Sequence, residues 1–312
     1  MQKLSFNVAY DKPELIADYA CEIGEGPLWH PIERQLYWSD IPNGRLFRYD
    51  PTDGTHEQCY QGRPVGGFTV QSDGSLLLFM DRGSVAVWRG GTLIEVIPEI
   101  LAERSSRFND VIADPRGRVF CGTMSTAESS GRLYRLDLDG SLQLLLDGVG
   151  CSNGMAFTRD SKGFYYTDSF AREIYYFDYN EEDGSISNQR VFARFKEGDG
   201  LPDGAALDSD GRLWSAMWDG ACIVRLLPNG EIDKRIMLPT RKTSSLTFGG
   251  EGYADIYITT AGGHSRVEDG PLAGGLFRLK GQTPGFPEFF SRIETFQNRH
   301  RSEANLSFQP NF

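Results

Sequence analysis

Glu25, Asn109, Asn153 and Asp203 each open a short apolar stretch, in EGPLW, NDVIA, NGMAF and DGAAL, and these stretches recur along the chain at intervals of roughly 40 to 50 residues. Side chains at one register of a repeat can be gathered around one axis. Two carboxylates and two amides facing a water-filled mouth make a hard, oxygen-rich site suited to a divalent cation. Taken singly, Asn-Gly and Asp-Gly are ordinary turn dipeptides. Turn chemistry alone does not restrict such residues to one register, so their recurrence across four repeats favours the cation site.

The elements that must position them are strands. Leu201 to Gly220, LPDGAALDSDGRLWSAMWDG, reads as a short strand, a tight turn at Asp208 to Gly211 and a second strand. Aligned on that turn, the first strands fall at 25–29, 66–70, 109–113, 153–157, 203–207 and 244–248. Second strands follow in RQLYWSD, GSLLLFMD, GRVFCGTM, KGFYYTD, GRLWSAM and ADIYITTA, and a third strand follows each, as in GRLYRLDLDG and GGLFRLKG. Six such units predict an all-β fold, a six-bladed β-propeller of four-stranded antiparallel blades whose first strands line the central channel.

Residues 1–312 read as one propeller domain, with blade 1 starting at about residue 25. QLLLDGVGCSNG, ahead of the fourth unit, resembles ELIADYACEIGEG, ahead of the first. Residues 14–20 are therefore predicted to supply the missing outer strand of the last blade and close the ring. The tail after Lys280 has no place in the repeat. If the first strands run away from the site, the loops joining second to third strands lie over it. Two of these, Ser125 to Gly131 and Gly262 to Gly274, are long and carry Glu128, His264, Arg266 and Glu268.

Composition narrows the partners. A formal charge of −11 and a pI near 4.9 repel phosphate backbones and anionic membrane surfaces, so neither nucleic acid nor a membrane is expected as a partner. The segment MQKLSFNVAYDKPEL lacks the apolar core of a signal peptide, and no apolar run approaches the roughly eighteen residues of a membrane span. A cytoplasmic location is predicted. Cys21, Cys59, Cys121, Cys151 and Cys222 are an odd set without CxxC spacing, which suits buried free thiols in a reducing compartment. The oligomeric state leaves no trace in the sequence.

The segments GEGPLW, RFNDVIADPRGRVFCGTM, SNGMAFTRD, LPDGAALDSDGRLW and TSSLTFGG, in this order and spacing, resemble the senescence-marker-protein, gluconolactonase and regucalcin family from about Glu14 to Lys280. The resemblance implies a six-bladed propeller with one catalytic divalent metal that opens a sugar-derived lactone to the aldonic acid. It places metal ligands at Glu25, Asn153 and Asp203. Asn109 falls close to metal and substrate, and Arg107 and the loop residue Glu128 fall on the substrate. In that scheme the metal polarises the lactone carbonyl, and Asp203 orients or deprotonates the attacking water. Whether Asp203 or the metal activates the water stays open, as does the choice among Ca, Zn, Mn, Mg and Fe(II), all of which oxygen ligands accommodate.

Two other functions suit a propeller with an axial cation: an organophosphate- or aryl-ester-hydrolysing enzyme, and a non-catalytic calcium- or ligand-binding protein. Fold alone does not choose. A pure scaffold has no use for Glu, Asn, Asn and Asp at one register, and a calcium buffer is expected to spend more carboxylates. WSD and YTD also resemble the YWTD propellers of extracellular receptors, but no cysteine-rich module accompanies them here.

Overall fold

The computed structural model describes residues 12–294. Most of the segment read for a signal peptide, residues 1–11, and the last part of the tail, 295–312, lie outside the described residues. Six four-stranded antiparallel sheets form the six blades of a propeller. Their inner strands are Gly24–His30, Val65–Val70, Phe108–Ala113, Ser152–Phe157, Leu201–Leu207 and Thr243–Gly249, within two residues of the predicted positions at either end.

Aspartate and glycine make the first turn of several blades. In the DSDG turn the Asp208 carboxylate accepts hydrogen bonds from the backbone amides of Asp210 (3.0 Å) and Arg212 (2.9 Å) and from Trp214 Nε1 (3.0 Å). Asp114 does the same in blade 3 for Arg116 (2.8 Å) and Arg118 (3.0 Å). These bonds satisfy amides that leave the ladder at the turn, which is the role Asx side chains play best.

The apolar residues between the blades form six clusters, one at each blade-to-blade contact. Phe79 meets Phe108 edge to face at 5.2 Å between blades 2 and 3, and Trp29 stacks on Tyr257 at 6.1 Å where blade 1 meets blade 6. Each blade thus buries both faces of its sheet against its neighbours. Cys21, Cys121, Cys151 and Cys222 are buried free thiols, and Cys59 is half-buried. Among the described residues no helix is long and apolar enough to cross a membrane.

All six inner strands carry a register shift at the site end, for example between Asn153 and Met155 and between Pro202 and Ala205. Such bulges turn a strand and re-aim its side chains. The Asn-Gly pair at 153–154 is therefore part of a bulged strand, not a turn. A Cβ on Gly154 would lie 2.4 Å from the Asp203 carbonyl oxygen, so glycine lets the inner strands of blades 4 and 5 come together at the axis.

The ring is closed by the N-terminal strand Glu14–Asp18, which pairs antiparallel with Gly275–Leu279 as the outer strand of the last blade. The Gly262 to Gly274 loop holds it from above: Arg266 pairs with Asp18 and donates to the Ala273 carbonyl (3.1 Å). The tail that had no place in the repeat is a strap across the opposite end of the propeller. Backbone bonds tie Gly285 to Tyr253 in blade 6, Pro284 to Ser209 in blade 5, Ser291 to Val70 and Ser72 in blade 2, and Arg292 to Gly117 in blade 3.

Removing residues 1–18 strips the last blade of its outer strand and uncovers an edge. The expected outcome is a single cooperative melt displaced downward by on the order of 10 °C, read by calorimetry. An unchanged melting temperature would separate the N-terminal strand from ring closure.

Candidate functional site

Bulged inner strands and short top loops surround a cavity of about 210 Å³ at the predicted end of the axis. Glu25, Asn109, Asn153, Asp203 and Arg107 all line it. The first four are buried and Arg107 is half-buried. The two remaining strand openers take no part: Gly66 has no side chain, and the Ser244 hydroxyl donates to the Gly24 carbonyl (2.5 Å), fastening blade 6 to blade 1.

A chain of hydrogen bonds runs through three blades. Arg107 Nη1 donates to the Phe108 carbonyl (2.9 Å) and to Asn109 Oδ1 (2.6 Å). Asn109 Nδ2 donates to the Ser152 carbonyl (2.9 Å) and to Asn153 Oδ1 (2.8 Å). Asn153 Nδ2 donates to Ser169 Oγ (2.8 Å), whose hydroxyl donates to the Pro202 carbonyl (2.6 Å). Glu25 Oε2 accepts the Gly26 amide at 3.0 Å, whereas Asp203 Oδ1 is buried with no hydrogen-bond partner.

The carboxylates are held against their preference. Burial first, then the nearby Asp110 charge, pushes Glu25 up to about 8. Asp203 is raised well above the usual carboxylate range by burial and by Glu25 and Asp110. Arg107 is lowered by burial, which the charges of Cys151, Glu25 and Asp203 oppose. A site with two such carboxylates and an unpartnered oxygen is poised for a cation, since a nearby positive charge would favour their ionised forms. Its donors are all oxygens: Glu25, Asp203 and the amide oxygen of Asn153, which keeps a lone pair beyond the one given to Asn109. Among the described residues no group of three His, Cys, Asp or Glu is gathered for a metal, so an ion here would rely on the amide.

Glu128 lies elsewhere. Its loop folds on itself through the Thr126 amide on the Ser129 carbonyl (2.8 Å) and the Thr126 hydroxyl accepting from the Glu128 and Ser129 amides, leaving Glu128 exposed and outside the cavity lining. His264, Arg266 and Glu268 are also absent from that lining. Ser169, Ile23, Met124, Cys151, Phe170, Leu201 and Trp218 complete it, and none of them was singled out from the sequence for the site. Below the site, a second cavity of about 30 Å³ in the channel reaches Asp110 and Glu288 of the strap. Burial raises Asp110 to about 6, and burial together with Asp110 raises Glu288 to about 7.

Comparison with known proteins bears on this geometry. The model of the SMP-30/Gluconolactonase/LRE-like region matches residues 23–262. A pentonolactonase of Haloferax volcanii, XacC, is 46% identical over 89% of this chain and 97% of its own. A 6-deoxy-6-sulfogluconolactonase of Pseudomonas putida is 35% identical over 85% of this chain and 94% of its own. The crystal structure of a calcium-binding protein, regucalcin, from Agrobacterium tumefaciens superposes with a TM-score of 0.84 at 21% identity, covering 90% of this chain and 98% of that one.

The raised carboxylates give stability a definite pH dependence. A folded Glu25 keeps its proton up to about 8, while the unfolded side chain releases it near 4.5, so the native state binds more protons across that window and loses stability as pH rises through it. Carboxylates held low by arginines, such as Glu99 at about 2, titrate below the window. In a chelator, the melting temperature is expected to fall from pH 5 to pH 8, and divalent metal to restore it most at pH 8. Glu25→Gln should make the slope shallower, with Asp203, Asp110 and Glu288 still raised into the same range; a slope unaltered by that change would place its origin outside Glu25.

Proposed function

Because the chain belongs to the SMP-30/gluconolactonase/LRE-like family, we propose that its axial cavity hydrolyses a sugar-derived lactone to the open-chain acid. The observation that carries this reading is the convergence of Glu25, Asn153, Asp203 and Arg107 on one cavity, with a buried Asp203 oxygen left unpartnered. The names of the pentonolactonase and the sulfogluconolactonase support the substrate class.

Glu25, Asn153 and Asp203 are the residues that would hold a divalent metal, and the calcium-binding relative supports such an ion. When bound, it supplies Lewis-acid polarisation of the lactone carbonyl and charge compensation for the oxyanion. The chain's own residues do the rest. Arg107 keeps donors beyond the Nη1 bonds described above, and its planar fork suits a ring oxygen or a pair of sugar hydroxyls. Asn109, fixed by the Ser152 carbonyl, holds Asn153 in place and presents its own oxygen to Arg107. Asp203 accepts a proton from the attacking water; the new C–O bond forms, the ring C–O bond breaks, and the ring oxygen leaves as a hydroxyl after taking that proton back from Asp203. The acid product then ionises and releases a proton. Glu128, exposed and outside the lining, takes no part.

A carboxylate beside a divalent ion is a weaker base than a free one, so the ligand and base roles of Asp203 need separating. Lactone opening followed by proton release should vanish in a chelator and return with metal. At saturating metal, Asp203→Asn is expected to lose roughly two orders of magnitude or more in kcat, the range for lost general-base assistance. Glu25→Gln removes the same charge and should recover more fully in excess metal. Equal rescue of both variants would make Asp203 a ligand only.

A further inference from the structure

The cavity is mixed in its chemistry. Its lining combines Glu25, Asp203, Arg107 and the two asparagines with the apolar side chains of Ile23, Met124, Leu201, Phe170 and Trp218. Among the polar groups most donors are already spent. Both asparagine amides donate within the protein, and the Ser169 hydroxyl is committed to the Pro202 carbonyl. Arg107 is the one cation among the described lining residues.

The two aromatic residues are firmly placed. Phe170 sits in the short loop after the second strand of blade 4 and is 56% exposed, an aromatic ring that folding leaves uncovered at the mouth. Its loop is pinned by Asp168, whose carboxylate accepts from the backbone amides of Gly150 (2.9 Å), Cys151 (3.0 Å) and Phe170 (3.2 Å). Gly150 packs against the ring, where a Cβ would lie 2.7 Å from the Phe170 Cβ and 3.2 Å from its Cδ2. Trp218 ends the second strand of blade 5, in register with Leu201, with the Lys242 ammonium 5.7 Å from its ring centroid. Two rings fixed on neighbouring blades therefore line one cavity.

We propose, on the basis of the lactonase reading, that Phe170 and Trp218 form an aromatic wall that takes the carbon-rich face and the exocyclic arm of the lactone. The wall selects lactones whose arm is absent or ends in a methyl: pentono-1,5-lactones and 6-deoxyhexonolactones. A terminal hydroxyl laid against it gives up its water without gaining a partner. Apolar pockets reject an added hydroxyl by up to about a hundredfold, which sets the size of the effect.

The test is a matched pair, L-fucono-1,4-lactone and L-galactono-1,4-lactone, which differ only in the hydroxyl on C6, with D-xylono-1,5-lactone, whose ring takes up all five carbons, as the armless reference. The metal-loaded wild type is expected to show a kcat/KM about 10- to 100-fold higher for the 6-deoxy lactone. Phe170→Ser should bring the ratio to within about threefold, mostly through KM, while a melt reports its folding; Trp218→Ser serves as a second variant at the opposite ring. A wild-type ratio near one, or a ratio unmoved by both substitutions, overturns the aromatic wall while leaving lactone hydrolysis standing. Absence of turnover on all three lactones would instead overturn the lactonase reading and the wall with it.

Discussion

Six inner strands can share one axis only if their backbones nearly touch, and that constraint governs the rest of the molecule. At Gly154 the neighbouring carbonyl leaves no room for a Cβ. The bulge that accompanies the glycine re-aims the preceding side chain, so the condition that lets blades 4 and 5 close together also delivers Asn153 to the cavity. Fold and site are specified by the same dipeptide. A substitution at such a glycine therefore disturbs the ring and the chemistry together.

Closure is secured at both ends by chain segments outside the repeat. The N-terminal strand completes the last blade, and its Asp18 carboxylate is held by Arg266 from the long loop above. At the other end the strap binds blades 6, 5, 2 and 3 through backbone groups. The side chains of Thr69 and Gln71 also bond it, to Ser291 (2.8 Å) and the Ile293 carbonyl (2.9 Å). Contacts between distant blades are rare in a ring, where each blade meets only two neighbours. A segment that ties four of them resists the ring's opening at any single interface.

The blade period, the inner strands, the closing strand and the axial oxygens were legible in the sequence because each repeats a pattern: alternation, a DSDG-like turn, a polar residue before glycine. What was not legible lacks a repeat. The strap binds mainly through backbone amides and carbonyls, which any sequence possesses, so GQTPGFPEFFSRI carries no sign of its course. Phe170 and Trp218 lie in different parts of their blades, one in a loop and one at a strand end, and no periodicity links them. Loop length suggested Glu128, but the Thr126 hydroxyl folds that loop into a local turn. The aspartate of YTD has its role outside the cavity lining, and only the fold shows it: Asp168 holds the loop that presents Phe170.

Backbone carbonyls fix which way the site amides face. The Pro202 carbonyl can only accept, so the Ser169 hydroxyl must donate to it, and the serine oxygen is then left to accept. Asn153 must therefore turn its NH₂ toward Ser169, which points its Oδ1 to Asn109 and the cavity. The Ser152 carbonyl imposes the same logic on Asn109, whose oxygen is thereby presented to Arg107. Two carbonyls of the propeller backbone thus settle the polarity of a chain ending in a guanidinium. An amide so held would offer its oxygen to a cation without reorganising, which is the condition under which a neutral ligand could work beside two carboxylates.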